Sequence, residues 1–127
     1  MSTQQPSHSF DAQAIVQRQM EAYNRRDADA FCSFMAPDIV TRLYETGEIL
    51  SSGIAQTREL YRKRFAENPN LHMTVQARMV NDTVVVDREM ITGFDGGTTI
   101  EAIVIHELRA DGLIWRSSFI RRQVVSS

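Results

Sequence analysis

Residues 71–80 (LHMTVQARMV), 83–94 (TVVVDREMITGF), 98–108 (TTIEAIVIHEL) and 113–125 (LIWRSSFIRRQVV) carry the reading that decides the fold. All are rich in Val, Ile, Thr and aromatic residues, which suit a pleated surface packed on at least one face. Between them stand Asn81-Asp82, Asp95-Gly96-Gly97 and Ala110-Asp111-Gly112, residues that accept the positive φ of tight turns. Connections this short permit only sequential antiparallel pairing, so the segments predict one twisted meander. A lone sheet cannot hide its apolar face, and the preceding residues must cover it.

Working outward, residues 1–8 are polar, broken by Pro6, and predict a mobile tail ahead of a single domain over 9–124. A helix is expected from Ser9, as N-cap, to about Arg26, with Asp11 in its first turn and Val16, Met20 and Tyr23 as its buried stripe. Gln19 lies at the border of that stripe. Asp27 can cap a short second helix over 28–35, ended by Pro37. Ile39–Tyr44 and Ile49–Ser52 predict two short strands, and Ile54–Glu67 a third helix. On that helix Ile54, Leu60, Tyr61 and Phe65 are the core candidates, and Arg58, Arg62, Lys63 and Arg64 should be solvated. The fold class is therefore α+β: a cone made by a strongly curved, mostly antiparallel sheet covered by three N-terminal helices, enclosing a largely apolar cavity for a small molecule.

Composition narrows the function. The 127 residues have a net charge of −2 with both signs interspersed, so there is no footprint for nucleic acid. The single cysteine, Cys32, excludes an intrachain disulfide and argues against a zinc cluster; it reads as core filler. No run is long and apolar enough to span a bilayer, and the N-terminus lacks the apolar core of a signal peptide, so a cytoplasmic location is expected. Neither a metal nor a cofactor is expected. Both faces of the last strands carry apolar residues, which predicts a helix layer on one side and a second subunit, in a homodimer, on the other.

The runs 16–39 (VQRQMEAYNRRDADAFCSFMAPDI), 52–65 (SGIAQTRELYRKRF), 68–75 (NPNLHMTV) and 101–122 (EAIVIHELRADGLIWRSSFIRR) resemble the SnoaL-like branch of the nuclear transport factor 2 superfamily, over about Ala14 to Arg122. The resemblance implies that fold, and a choice among isomerase, cyclase, dehydratase and hydrolase chemistry or simple binding. The ketosteroid isomerases of this superfamily use a first-strand carboxylate base, a first-helix tyrosine and a protonated aspartate on the third strand of the meander. The corresponding positions here read Arg42 or Leu43, Gln19, and Ile105, so the resemblance does not extend to that catalytic set.

Side-chain alternation leaves the site residues open. Val84, Val86, Arg88, Met90 and Thr92 share one face of their strand; Val85, Asp87, Glu89 and Ile91 share the other. Paired carboxylates can divide acid and base roles, but Asp87 and Glu89 read more simply as an outer, solvated face. With Ile105 in the pocket, His106 points outward. His72 stands at the start of its strand, where register is least fixed; it and Arg88 are the remaining candidates for chemistry. An inward Arg88 would anchor a carboxylate or carbonyl oxygen of a mainly apolar ligand, with Tyr23, Tyr44, Met90, Ile105 and Trp115 around the ligand body. The equal alternative is a structural ion pair with Glu101 or Glu107. Three functions stay open: an acid–base enzyme, a small-ligand-binding module, and a dimerisation domain.

Overall fold

The computed structural model describes residues 10–124. In chain order it runs α1 (Ala12–Asn24), α2 (Ala28–Cys32), β1 (Met35–Leu43), β2 (Ile49–Ser52), α3 (Ile54–Glu67), β3 (His72–Asn81), β4 (Val84–Thr92), β5 (Thr99–Leu108) and β6 (Ile114–Val124). The six strands form one sheet in the order β2-β1-β6-β5-β4-β3. The meander pairs antiparallel throughout, and only the β1–β6 contact is parallel. The helices close one side of the curved sheet, giving the α+β arrangement read from the sequence. Among the described residues no helix is long and apolar enough to cross a membrane. The tail read over residues 1–8 lies outside the described residues.

Three boundaries differ from the sequence reading, each for a local reason. Asp11 is the cap of α1, its carboxylate accepting from Ala14 N–H at 3.2 Å, while the Ser9 read from the sequence as N-cap lies outside the described residues. The second helix stops at Cys32, and β1 begins at Met35, ahead of Pro37. Proline is tolerated there because the β1–β6 register breaks between Met35 and Val40, where no ladder donor is required. Arg64 is half-buried, whereas Lys63 and Arg62 beside it are exposed.

The helices are fastened to the sheet by polar clips as well as by apolar packing. Asn24 closes the end of α1 onto β3: its Nδ2 donates to Met73 O at 2.9 Å, and its Oδ1 accepts from Met73 N at 2.7 Å. A buried hydroxyl chain ties β1, β2 and α3, with Thr41 Oγ1 2.6 Å from Ser51 Oγ, Ser51 Oγ 2.9 Å from Thr57 Oγ1, and Thr57 donating to Gly53 O at 2.8 Å. Such groups are tolerated in a core only because each finds a partner. Tyr23, Phe31, Tyr61 and Phe65 interlock in tilted and edge-to-face contacts, Tyr23 and Phe65 edge to face with centroids 5.1 Å apart and Phe31 and Tyr61 tilted at 4.4 Å. After β4 the chain must pass against the turn before β3. Gly93 allows this with φ of 84°, since a Cβ there would fall 1.9 Å from Asn70 O.

Candidate functional site

The curvature of the sheet and the bulges in its ladder decide which side chains look inward. On β4 the inward set is Val85, Asp87, Glu89 and Ile91, all buried. Cross-strand register then carries the inner face to Val104 and His106 on β5 and to Ser117 and Phe119 on β6. The reading that placed Asp87, Glu89 and His106 on an outer face is thereby reversed. Its physical basis was weak, because the two faces of β4 are nearly equal in apolar content. In β6 the register shifts opposite Glu107–Leu108, so that Ile114 pairs with Leu108 and Arg116 with Glu107. The bulge takes Trp115 out of the alternation. Ile114 and Ser117, separated by an odd number of positions, are both buried.

The residues expected around a ligand are therefore dispersed. Tyr23 stands in the cavity wall. Arg88 points away from the cavity, half exposed, with its Nη2 3.6 Å from Glu101 Oε2. Met90 and Ile105 share the Arg88 face and sit half-buried opposite Glu101 and Val86. Tyr44 is 53% exposed. Trp115 is covered by the Arg116 guanidinium, 4.5 Å from its ring centroid. His72 is exposed at the start of β3. Arg42 also faces outward, its Nε donating to Ser118 Oγ at 2.9 Å. The inward neighbours of the isomerase-type positions Arg42 and Ile105 are Thr41, Val104 and His106, and none is a carboxylate.

Asp87, Glu89 and His106 instead converge at the inner end of the cone. One ligand-type atom from each lies within 4.8 Å of the others, and all three residues are buried. Arg78 on β3 holds both oxygens of Asp87, through Nε at 2.6 Å and Nη2 at 2.9 Å, and its Nη1 reaches Gln17 Oε1 of α1 at 2.9 Å. Glu89 has no hydrogen-bond partner among the described residues. Burial, reinforced by the Asp87 charge and only partly opposed by Arg78, raises its pKa from the ordinary 4.5 to about 8. Glu89 is thus a neutral carboxylic acid at neutral pH. Burial also lowers the His106 pKa from 6.5 to about 4, against the pull of Asp87, so the imidazole is neutral. Its Nδ1 meets Ser117 Oγ at 2.9 Å, which leaves Nε2 as its other exchangeable nitrogen.

The cavity above this cluster has room for the centres of water-sized spheres over about 40 Å³, more than one water requires. Gln19 Nε2 and the Tyr23 hydroxyl are buried there without a hydrogen bond of good geometry. Burial strongly raises the Tyr23 pKa, with the nearby Arg64 acting in the opposite sense. The donors Asp87, Glu89 and His106 are those a divalent cation would use. Arg78, however, occupies both Asp87 oxygens and places a fixed positive charge beside the cluster, an arrangement better matched to a proton than to a cation. Cys32 is buried and its thiol pKa is pushed up by burial, so it is not an activated nucleophile.

The curved α+β sheet, closed on one side by helices, gathers polar groups in its interior. This chain belongs to the SnoaL-like domain family, whose model matches residues 16–117. No curated protein matches the chain. Among solved structures, an uncharacterised cystatin-fold protein from Novosphingobium aromaticivorans superposes with a TM-score of 0.81 at 22% identity, covering 89% of this chain and 100% of that one. A SnoaL-like protein of unknown function from Burkholderia thailandensis gives a TM-score of 0.74 at 18% identity, with 93% and 99% covered. An NTF2-like protein of unknown function from Cytophaga hutchinsonii gives 0.73 at 16%, with 96% and 95% covered. At these identities the likeness concerns the fold alone.

The sequence signal for this site was present: two carboxylates two residues apart on a strand whose other residues on that face are Val85 and Ile91. What it lacked was the choice of face. Thr41, Arg64, Ser117 and Phe119 also line the cavity, and nothing in their local sequence marks them.

Proposed function

We propose that the protein is an acid–base enzyme that moves a proton on a small, mainly apolar carbonyl compound, the step shared by isomerase and cyclase chemistry. The observation that carries this reading is Glu89: a buried carboxylic acid with no protein partner, facing a cavity, with its pKa placed near neutrality. Such a group can donate to a carbonyl oxygen as negative charge develops on it, where a water-excluded setting makes the hydrogen bond strong. In this reading the neutral His106 imidazole, which also lines the cavity, takes the carbon-bound proton. The imidazolium formed would sit beside the Asp87 carboxylate, which Arg78 orients.

Deuterium incorporation from D2O into a panel of apolar ketones, followed by NMR, tests this before the natural substrate is identified. Exchange should fall as pH rises through about 8, where Glu89 loses its proton. Glu89→Gln keeps a hydrogen-bond donor but cannot transfer a proton, and should lower the rate by roughly 10²–10⁴-fold. Equal rates for variant and wild type, or no exchange into any ketone of the panel, would reject the reading.

The outer face of the sheet supports a homodimer. Met79 and Ile103 are 69% and 40% exposed there, beside the half-buried Val86, Ile105 and Ile120. An apolar patch of this kind is a typical two-fold contact. Light scattering should give the dimer mass at micromolar concentration. Ile103→Glu should shift it to the monomer with the circular dichroism spectrum unchanged. A monomeric wild type would exclude the dimer.

A further inference from the structure

The inner cavity continues outward into a wider mouth. Thr41, Tyr61, Arg64, Ile91 and Phe119 line both, and the mouth has room for the centres of water-sized spheres over about 180 Å³. Its remaining wall is mostly apolar, from Leu50, Leu60, Phe94 and Ile100. Two guanidiniums interrupt that wall. Arg64, in the last turn of α3, lies over the Tyr61 ring at 5.0 Å, and Arg121, on β6, lies over the Phe119 ring at 5.8 Å. Neither forms an ion pair with any described carboxylate.

This contrasts with the other arginines of the meander. Arg78 is paired with Asp87, Arg88 and Arg122 with Glu101, and Arg116 with Glu107. The inward-facing arginine of β6 alone lacks an acid, and the unpaired arginine of α3 faces the same space. Stacking on an aromatic ring holds a guanidinium in place while leaving its N–H fork open. The two spaces thus differ in their polar groups: Asp87, Glu89 and His106 line the inner one, Arg121 the outer one, and Arg64 stands between them beside Tyr23 without an acid partner.

We propose that Arg64 and Arg121 bind the anionic head group, carboxylate or phosphate, of an amphipathic substrate whose apolar body fills the mouth. The inner cluster of Asp87, Glu89 and His106 offers an anion no free guanidinium, because Arg78 already holds both Asp87 oxygens, so the opposite orientation is disfavoured. An anion held at the rim directs the far end of the molecule toward Glu89. That orientation rests on the acid–base reading of the inner site, but head-group binding does not, and it is measured without turnover.

The test is calorimetric titration of the wild-type protein with octanoate, octyl phosphate and octanol, which share one chain and differ in head group. At low salt at least one anion should bind roughly tenfold more tightly than octanol, with added salt weakening only the anion. The tighter of the two anions identifies the carboxylate or the phosphate as the head group. Arg121→Met, at an exposed position, should fold normally and lose most of that preference while binding octanol as before. The Arg64→Met/Arg121→Met protein should lose all of it, its fold checked by circular dichroism. Octanol binding as tightly as both anions, an unchanged preference in Arg121→Met, or no binding of any of the three would overturn the proposal. A failed ketone-exchange assay with intact anion preference would instead count against the catalytic reading alone.

Discussion

Arg78→Met is expected to lower the unfolding free energy by about 3–5 kcal/mol, the usual cost of removing one partner from a buried ion pair. The pair is largely withdrawn from solvent, with side-chain exposures of 11% for Arg78 and 1% for Asp87. Removing the guanidinium strands the Asp87 carboxylate beside Glu89 and also frees Gln17 on α1. Small domains have only about 5–15 kcal/mol in total, so the loss should be plain in urea denaturation at neutral pH. Adding Asp87→Asn to the same chain should recover much of it, because no uncompensated charge then remains. A destabilisation below about 1 kcal/mol in the single variant would mean that water reaches the pair and that the inner end of the cone is not dry.

The second large effect is the response of stability to pH. The Glu89 carboxyl binds its proton more tightly in the folded protein, with a pKa of about 8 against the ordinary 4.5. Its contribution is fully present below pH 4.5. Above that the unfolded chain releases a proton that the folded chain retains, and stability declines by up to ~1.4 kcal/mol per pH unit until about pH 8. His106 acts with the opposite sign. Its folded pKa of about 4 lies below the ordinary 6.5, so its contribution is present above 6.5 and lost as pH falls toward 4. Glu89→Gln should therefore remove the alkaline decline and leave the acid limb intact, making the variant more stable than wild type at pH 8 but not at pH 4.5. Urea midpoints measured across pH 4 to 9 would show this. Parallel profiles for the two proteins would place Glu89 in contact with bulk water, and the proton-donor role would fall with it.

Both effects arise from residues that could be read off the chain but not assigned a side. Alternation on β4 separates Asp87 and Glu89 from Arg88 without ambiguity, since successive side chains must point to opposite faces. It does not say which face is inside when Val85 and Ile91 argue for one set and Val84, Val86 and Met90 for the other. On β5 the isomerase-type position put Ile105 in the pocket and His106 outside, and the pairing of His106 with Val85 reverses that. On β6 the bulge at Trp115 broke the alternation, so that Trp115, two positions before Ser117, does not join Ser117 and Phe119 on the cavity wall.

By itself the sequence determined the local and near-neighbour features of this protein. Turn residues at Asn81-Asp82, Asp95-Gly97 and Asp111-Gly112 set short connections and hence an antiparallel meander; a stripe of Val16 and Tyr23 set the buried side of the first helix; the resemblance in residues 16–39 and 101–122 pointed to the family. These are properties of a few adjacent residues and their backbone preferences. Only the tertiary structure decided the site, because it depends on sums over distant parts of the chain. The helices cover one face of the sheet and not the other, which buries Glu89 and raises its pKa while leaving Arg88 in solvent beside Glu101. The parallel contact of β1 with β6 and the docking of α3 bring Thr41, Arg64 and Phe119 to a common wall across more than fifty residues of sequence. Burial and cross-strand partners, which set charge state and orientation, come into existence only when those elements meet.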